Sequence, residues 1–241
     1  MAISFDESND YYVITDSTGM TLQDGDWCVG IWVRVTDNSG TQFQYNISNG
    51  TVGGTNTFNM FLVEDSQGGG NEGTWNVRVD PGTGTEANIR TAVIGADSTW
   101  WLLICQRDDS ADEIQLWSCK YAATATKEAT ASDTTWASTV DGGDWHLGRR
   151  LDGDADRYYG GELGEFFKGD FALTQAEIES LANGKNIFGI GKSPDCYLSM
   201  AAADGTLPDL SGNGNSAARQ DTPVTVAHPI NLYRMRQLRM R

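Results

Sequence analysis

Glu162 and Glu165 are the carboxylates whose placement first suggests chemistry. Two acids flanking a sugar linkage, one protonating the leaving oxygen and one attacking or activating water, are the machinery of glycoside hydrolysis. Here they stand three apart in Glu162-Leu163-Gly164-Glu165. In a strand that spacing sends them to opposite faces, so they cannot act as a pair without a bulge. A salt-bridging, structural role is expected, and no residue is assigned to catalysis. Histidine chemistry is equally thin, since His146 and His228 are the chain's two histidines. A serine triad needs one of them beside a Ser and an Asp, and a two-histidine metal site needs both to meet. His146 follows Trp145 in a strand-like run, which predicts a packing or surface role.

Asp152, Asp154 and Asp156 alternate in a short acidic stretch. Calcium takes clustered carboxylate oxygens, so it is the one cofactor these residues suggest. The EF-hand register fails, because its glycine would fall on Arg157 and its closing Glu on Leu163. A solvated acidic loop is the alternative. Eight Trp and eight Tyr offer platforms on which sugar rings could stack. Most lie in strand-like runs, where core packing is the default. Tyr158 and Tyr159, beside the acidic loop, are the expected glycan contacts.

Strand signals supply the frame. Trp27–Val35 mixes aromatic and β-branched residues, Trp75–Val79 alternates strictly, and Tyr11–Ile14, 42–47 and Phe58–Val63 are similar runs. Residues 100–106 and 114–121 flank the turn Asp108–Asp112 as a hairpin, and 122–135 reads as a loop with one weak strand. Trp145–Gly148 and Glu162–Lys168 are expected to pair with each other. One helix is predicted: Thr174-Gln175-Ala176-Glu177 is a capping box, Ile178 and Leu181 share a face, and Asn183-Gly184 stops it.

The 241 residues are acidic, with 28 glycines and a formal charge of −16. Such a body repels nucleic acid. No run approaches the roughly 20 apolar residues of a membrane-spanning helix. The first residues lack the basic start and apolar run of a signal peptide, so synthesis in the cytosol is expected. Cys28, Cys105, Cys119 and Cys196 are widely spaced with no C-x-x-C pair, and free buried thiols are expected.

Trp145-His146-Leu147-Gly148-Arg149, then Tyr159-Gly160-Gly161-Glu162-Leu163-Gly164-Glu165-Phe166, then Leu173-Thr174-Gln175-Ala176-Glu177-Ile178 resembles the C-terminal signature of laminin-G/concanavalin A-like jelly rolls. The resemblance covers about residues 5–190. It implies an all-β, antiparallel two-sheet sandwich with the helix packed over one end. Some jelly rolls of this class are glycosidases whose strand motif resembles E-x-D-x-x-E; here the central Asp and the spacing are missing. Related folds often bind glycans. Asp209-Leu210-Ser211-Gly212-Asn213-Gly214, with His228-Pro229, resembles a segment that follows such domains in structural proteins of tailed bacteriophages.

Residues 223–241 hold four arginines and no carboxylate side chain, leaving a formal −20 on the rest. Arg and Met are favoured at protein interfaces. Tyr233, Arg234, Met235, Arg236, Leu238, Arg239, Met240 and Arg241 are therefore expected to dock onto a partner. The domain reading is a sandwich over 1–196, an extended segment over 197–229 and a basic tail over 230–241. The leading functional expectation is a non-enzymatic virion structural protein, a capsid decoration or surface accessory protein. It would be made in the host cytoplasm and gathered with other virion or capsid subunits into an oligomer or lattice. A carbohydrate-binding, adhesin-like module is the alternative, and a glycosidase of the same fold is third.

Overall fold

Apolar residues alternate along strands such as Trp75–Asp80 and Ala87–Arg90, whereas Trp27–Val35 and residues 101–105 are apolar almost throughout, and these strands form two sheets set face to face. The computed structural model describes residues 2–6, 8–15, 19–36, 43–50, 56–63, 72–82, 86–92, 98–132, 140, 143–150, 157–200, 205–221 and 223–226. Asp152, Asp154, Asp156, His228 and the tail over 230–241 lie outside the described residues.

The strands, in chain order, begin with β1 (Ala2–Asp6), β2 (Tyr11–Ile14), β3 (Trp27–Val35), β4 (Phe43–Asn49) and β5 (Thr57–Val63). They continue with β6 (Trp75–Asp80), β7 (Ala87–Arg90), β8 (Trp101–Asp108), β9 (Glu113–Lys120) and β10 (Thr126–Ser132). The last are β11 (Trp145–Leu147), β12 (Gly160–Gly169), β13 (Cys196–Leu198), β14 (Ala217–Gln220) and β15 (Val224–Val226), with the helix α1 (Gln175–Ala182) between β12 and β13. Among the described residues the first sheet runs β10-β9-β8-β3-β12-β1-β15, with β13 also on β12, and the second runs β14-β2-β11-β4-β5-β6-β7. Every pairing is antiparallel. This is the all-β jelly-roll sandwich that the sequence predicts.

The space between the sheets is filled from both sides. Val29, Ile31 and Val33 of β3 and Leu163 and Phe166 of β12 meet Phe58 and Met60 of β5, Val77 and Val79 of β6, and Trp145 and Leu147 of β11. A second apolar layer lies on the outer face of the first sheet. There Cys28, Trp32, Leu102, Ile104, Trp117 and Phe167 pack under Ile178, Leu181 and Ala182 of α1. The helix thus covers a sheet face rather than one end of the sandwich. Its capping box forms as predicted: Glu177 N–H donates to Thr174 Oγ1, and Thr174 N–H donates to the Glu177 carboxylate. The four cysteines are free and buried.

Two expectations on β12 require correction. Residues 145–148 and 162–168 do not pair with each other. β11 lies between β2 and β4 in the second sheet, whereas β12 pairs with β1, β3 and β13 in the first. The chain changes sheets between them, and Trp145 meets Phe166 only across the core, at 6.3 Å between ring centroids. Two glycines make this crossing possible. Gly148 has φ +89°, and a Cβ there would press on the Phe5 ring. A Cβ on Gly161 would stand 2.5 Å from the Arg34 carbonyl oxygen.

The second correction concerns Glu162 and Glu165. The register of β12 against β3 shifts between Leu163 and Phe166, which marks a bulge. Leu163 and Phe166 both point into the core, so Glu162 and Glu165 share the outer face despite their odd spacing. Neither is idle there. Glu162 pairs with Arg34, whose guanidinium lies over the Trp100 ring, and Glu165 accepts a 2.6 Å hydrogen bond from the Tyr197 hydroxyl. Burial pushes the Glu162 carboxyl above its usual range, and the Arg34 charge pulls it part of the way back.

The segment after residue 196 is woven into both sheets. β13 lies on β12, β14 on β2 and β15 on β1. The Asp209-to-Gly214 motif is the knot that allows this. The Asp209 carboxylate accepts from the backbone N–H groups of Tyr197 (3.0 Å), Ser211 (2.9 Å) and Asn215 (2.9 Å) and from the Ser211 hydroxyl (2.7 Å).

Candidate functional site

The outer face of the second sheet has a different character from the helix-covered one. Trp145 and Leu147, Phe58 and Met60, and Val77 and Val79 face the core. Alternation then turns His146, Asn59 and Arg78 outward. Strand register lines these up with Ser48 and Asn88 in one transverse row, His146–Ser48–Asn59–Arg78–Asn88. A neighbouring row reads Tyr45–Phe61–Asn76–Arg90. Six polar side chains and two aromatic rings are therefore fixed on rigid strands beside one another, with Arg90 at the margin.

Aromatic rings frame the polar row at two corners. Tyr11 stacks on His146, with centroids 5.9 Å apart and planes at 30°, and the Arg149 guanidinium lies 4.7 Å from the Tyr11 ring and 5.6 Å from Tyr158. At the other corner Tyr45 stacks on Phe61 at 4.9 Å, and Phe43 meets Phe61 edge-on at 5.4 Å. Arg150 lies over Tyr45 at 5.2 Å and Arg157 over Phe43 at 5.7 Å. Ser48 ties the first corner to the sheet, since its hydroxyl donates to the Arg149 carbonyl oxygen at 2.7 Å.

Buried polar atoms normally find partners, so orphans need an explanation. Among the described residues, His146 Nδ1, Asn59 Oδ1, Arg78 Nε and Arg149 Nε are buried on this face without a hydrogen-bond partner. His146 and Asn59 are each 4% exposed. Arg78 forms an ion pair with Glu86 at 2.6 Å. Arg149 and Arg157 have no carboxylate in ion-pair range among the described residues.

Burial depresses the His146 pKa below its usual 6.5, the Arg149 charge lowers it further, and Asp144 opposes both. The unfolded chain therefore binds this proton more readily than the folded one. The stability from keeping His146 neutral is present above pH 6.5 and declines as pH falls toward the lower folded-state value. In pH-dependent denaturant unfolding, His146→Gln is expected to flatten the curve in that window. An unchanged slope would remove His146 as its source.

Of the predicted glycan contacts, Tyr158 sits at the first corner, half-buried beside Arg149. Tyr159 is a correction: it is fully buried in the core, and its hydroxyl donates to the Arg34 carbonyl oxygen. Strand alternation separates these neighbours, sending one ring out and the next in. Among the described residues no group of three metal-ligating side chains converges. Sequence reasoning missed Tyr11, Asn59, Phe61, Arg149, Arg150 and Arg157. The signal available was Arg149-Arg150, with Arg157 close behind, in an acidic chain.

No family model matches the sequence, and no curated protein does. The fold, however, has solved counterparts. A Bacteroides ovatus protein provisionally described as carbohydrate binding superimposes with a TM-score of 0.66 at 15% identity, over 96% of this chain and 61% of its own. The present chain thus spans about three-fifths of that protein. The CBM40 domain of a Ruminococcus gnavus IT-sialidase, bound to α2,3 sialyllactose, gives 0.56 at 13% identity, over 75% of this chain and 96% of the domain. A heptameric SAP-like pentraxin from Limulus polyphemus gives 0.54 at 15% identity, over 77% and 83%. Domains LG4-5 of the mouse laminin α1 chain are also similar, at 0.51 and 12% identity, over 73% and 43%. These likenesses show the laminin-G-like jelly roll that the sequence signature implies.

Proposed function

We propose that this chain is a non-enzymatic carbohydrate-binding module whose saccharide lies across the outer face of the second sheet. The observation that carries this is the row His146–Ser48–Asn59–Arg78, in which buried polar atoms lack partners, flanked by the rings of Tyr11, Tyr158, Tyr45 and Phe61. Sugar hydroxyls both donate and accept, which suits a polar row that opens to solvent at Arg78 and the exposed Asn88. The apolar faces of pyranose rings stack on tyrosine and phenylalanine.

The solved counterparts favour this reading over a virion role. One of them holds α2,3 sialyllactose, and another carries a carbohydrate-binding description. The virion reading rests on the tail over 230–241 and on a short motif that here serves as a structural turn. Catalysis by Glu162 and Glu165 has no support, because both are engaged under the helix-bearing layer on the opposite side of the sandwich.

The test is an immobilised glycan array probed with the full chain, followed by calorimetric titration of the strongest ligand. Asn59→Ala is expected to weaken that ligand about tenfold, the size of one lost hydrogen bond in a dry site, with an unchanged melting temperature. A bound ligand indifferent to Asn59, Tyr11 and Phe61 substitutions would move the site elsewhere.

A further inference from the structure

We infer that the saccharide this face accepts is acidic, with a carboxylate gripped by Arg149 between Tyr11 and Tyr158; the inference rests on the sugar-binding reading above. The chain carries a formal −16. Yet five of the eight arginines before residue 223, namely Arg78, Arg90, Arg149, Arg150 and Arg157, gather on or beside this one face, and none of the five lysines does. Guanidinium groups gathered on one face of an acidic body favour anionic ligands there over the rest of the surface.

The cations there are not equivalent. Arg78 is already answered by Glu86. No carboxylate among the described residues forms an ion pair with Arg149, and its Nε is buried without a partner. Its guanidinium carbon lies 4.7 Å from the centre of the Tyr11 ring and 5.6 Å from that of Tyr158. A guanidinium carries N–H groups that match a carboxylate with two parallel hydrogen bonds. The position is also held in advance. Its carbonyl oxygen accepts from Ser48, and Arg149 forms an antiparallel β-bridge with Tyr158. A grip ordered before binding avoids the entropic cost of ordering it afterwards. Asn59 and His146 lie along the same row of the sheet. Asp144, which acts on His146, and Glu86 are the nearby carboxylates named by the described contacts, and neither forms an ion pair with Arg149.

The experiment uses the full chain on an array of acidic and neutral glycans that includes matched pairs: α2,3-sialyllactose with lactose, and trigalacturonate with galactotriose. Acidic members are expected to bind about ten- to a hundredfold more tightly than their neutral partners, as a charged hydrogen-bonded pair provides. Arg149→Gln should erase that preference while leaving the melting temperature unchanged, and Arg149→Lys should recover only part of it. If acidic and neutral partners bind equally, or if Arg149→Gln keeps the preference, the acidic inference falls while the sugar site stands. If no glycan on the array binds, the sugar-binding reading falls and takes the inference with it.

Discussion

Trp145→Ala is expected to lower the unfolding free energy by about 3–5 kcal/mol, the range for truncating a large buried aromatic side chain. The indole is 1% exposed and lies 5.5 Å from the Phe58 ring and 6.3 Å from Phe166, so it fills the space where the two sheets meet. A cavity there has rigid strands on both sides and little freedom to collapse. Against a typical domain stability of about 5–15 kcal/mol, such a loss is severe. Urea unfolding should show a large drop in midpoint with an unchanged slope. A loss below about 1 kcal/mol would mean that the core relaxes around the hole, contrary to the packing described.

Removing both aspartates that face Lys168 should cost a comparable amount, while removing the lysine should cost much less. The Lys168 side chain is fully buried, and its ammonium meets Asp170 at 2.5 Å and Asp195 at 2.8 Å. Those carboxylates are 55% and 25% exposed. The double variant Asp170→Ala/Asp195→Ala strands a cation out of water, at a cost of about 3–5 kcal/mol. Lys168→Met leaves two carboxylates that water still reaches and an apolar chain of similar length in place of the stem. The order of the two midpoints checks the argument, and a Lys168→Met variant less stable than the double variant would reverse it.

The fold was legible because its signals are local. Trp27–Val35 appears as β3 with the bounds its composition predicts, and Thr174 caps α1 as its capping box requires. Ala2–Asp6 and Val224–Val226 gave no comparable signal. Each is a short strand whose pairing depends on a partner more than a hundred residues away, Ala2 with Val226 and Ile3 with Leu163. The Glu162/Glu165 geometry was hidden for a related reason. Period-two reasoning counts residues, and one bulge inserts an offset that sequence does not announce. The candidate site was the least legible part. Ser48, Asn59 and His146 are single polar residues on separate strands, and an outward polar residue on a sandwich is ordinary. Only the register that sets them side by side, with Arg149 alongside, gives them meaning.

The pairing of the first strand with the last has a mechanical consequence. Ala2 sits opposite Val226, so the ladder of β1 and β15 begins at the rung nearest both places where chain enters and leaves the described sandwich. Tension applied between those two places reaches one rung at a time. It peels the strands apart like a zipper, instead of loading all rungs together in shear. Held at one end only, the sandwich transmits pull along a single strand and keeps this seam unloaded. Held at both, it opens first at β15 while the core around Trp145 is still intact.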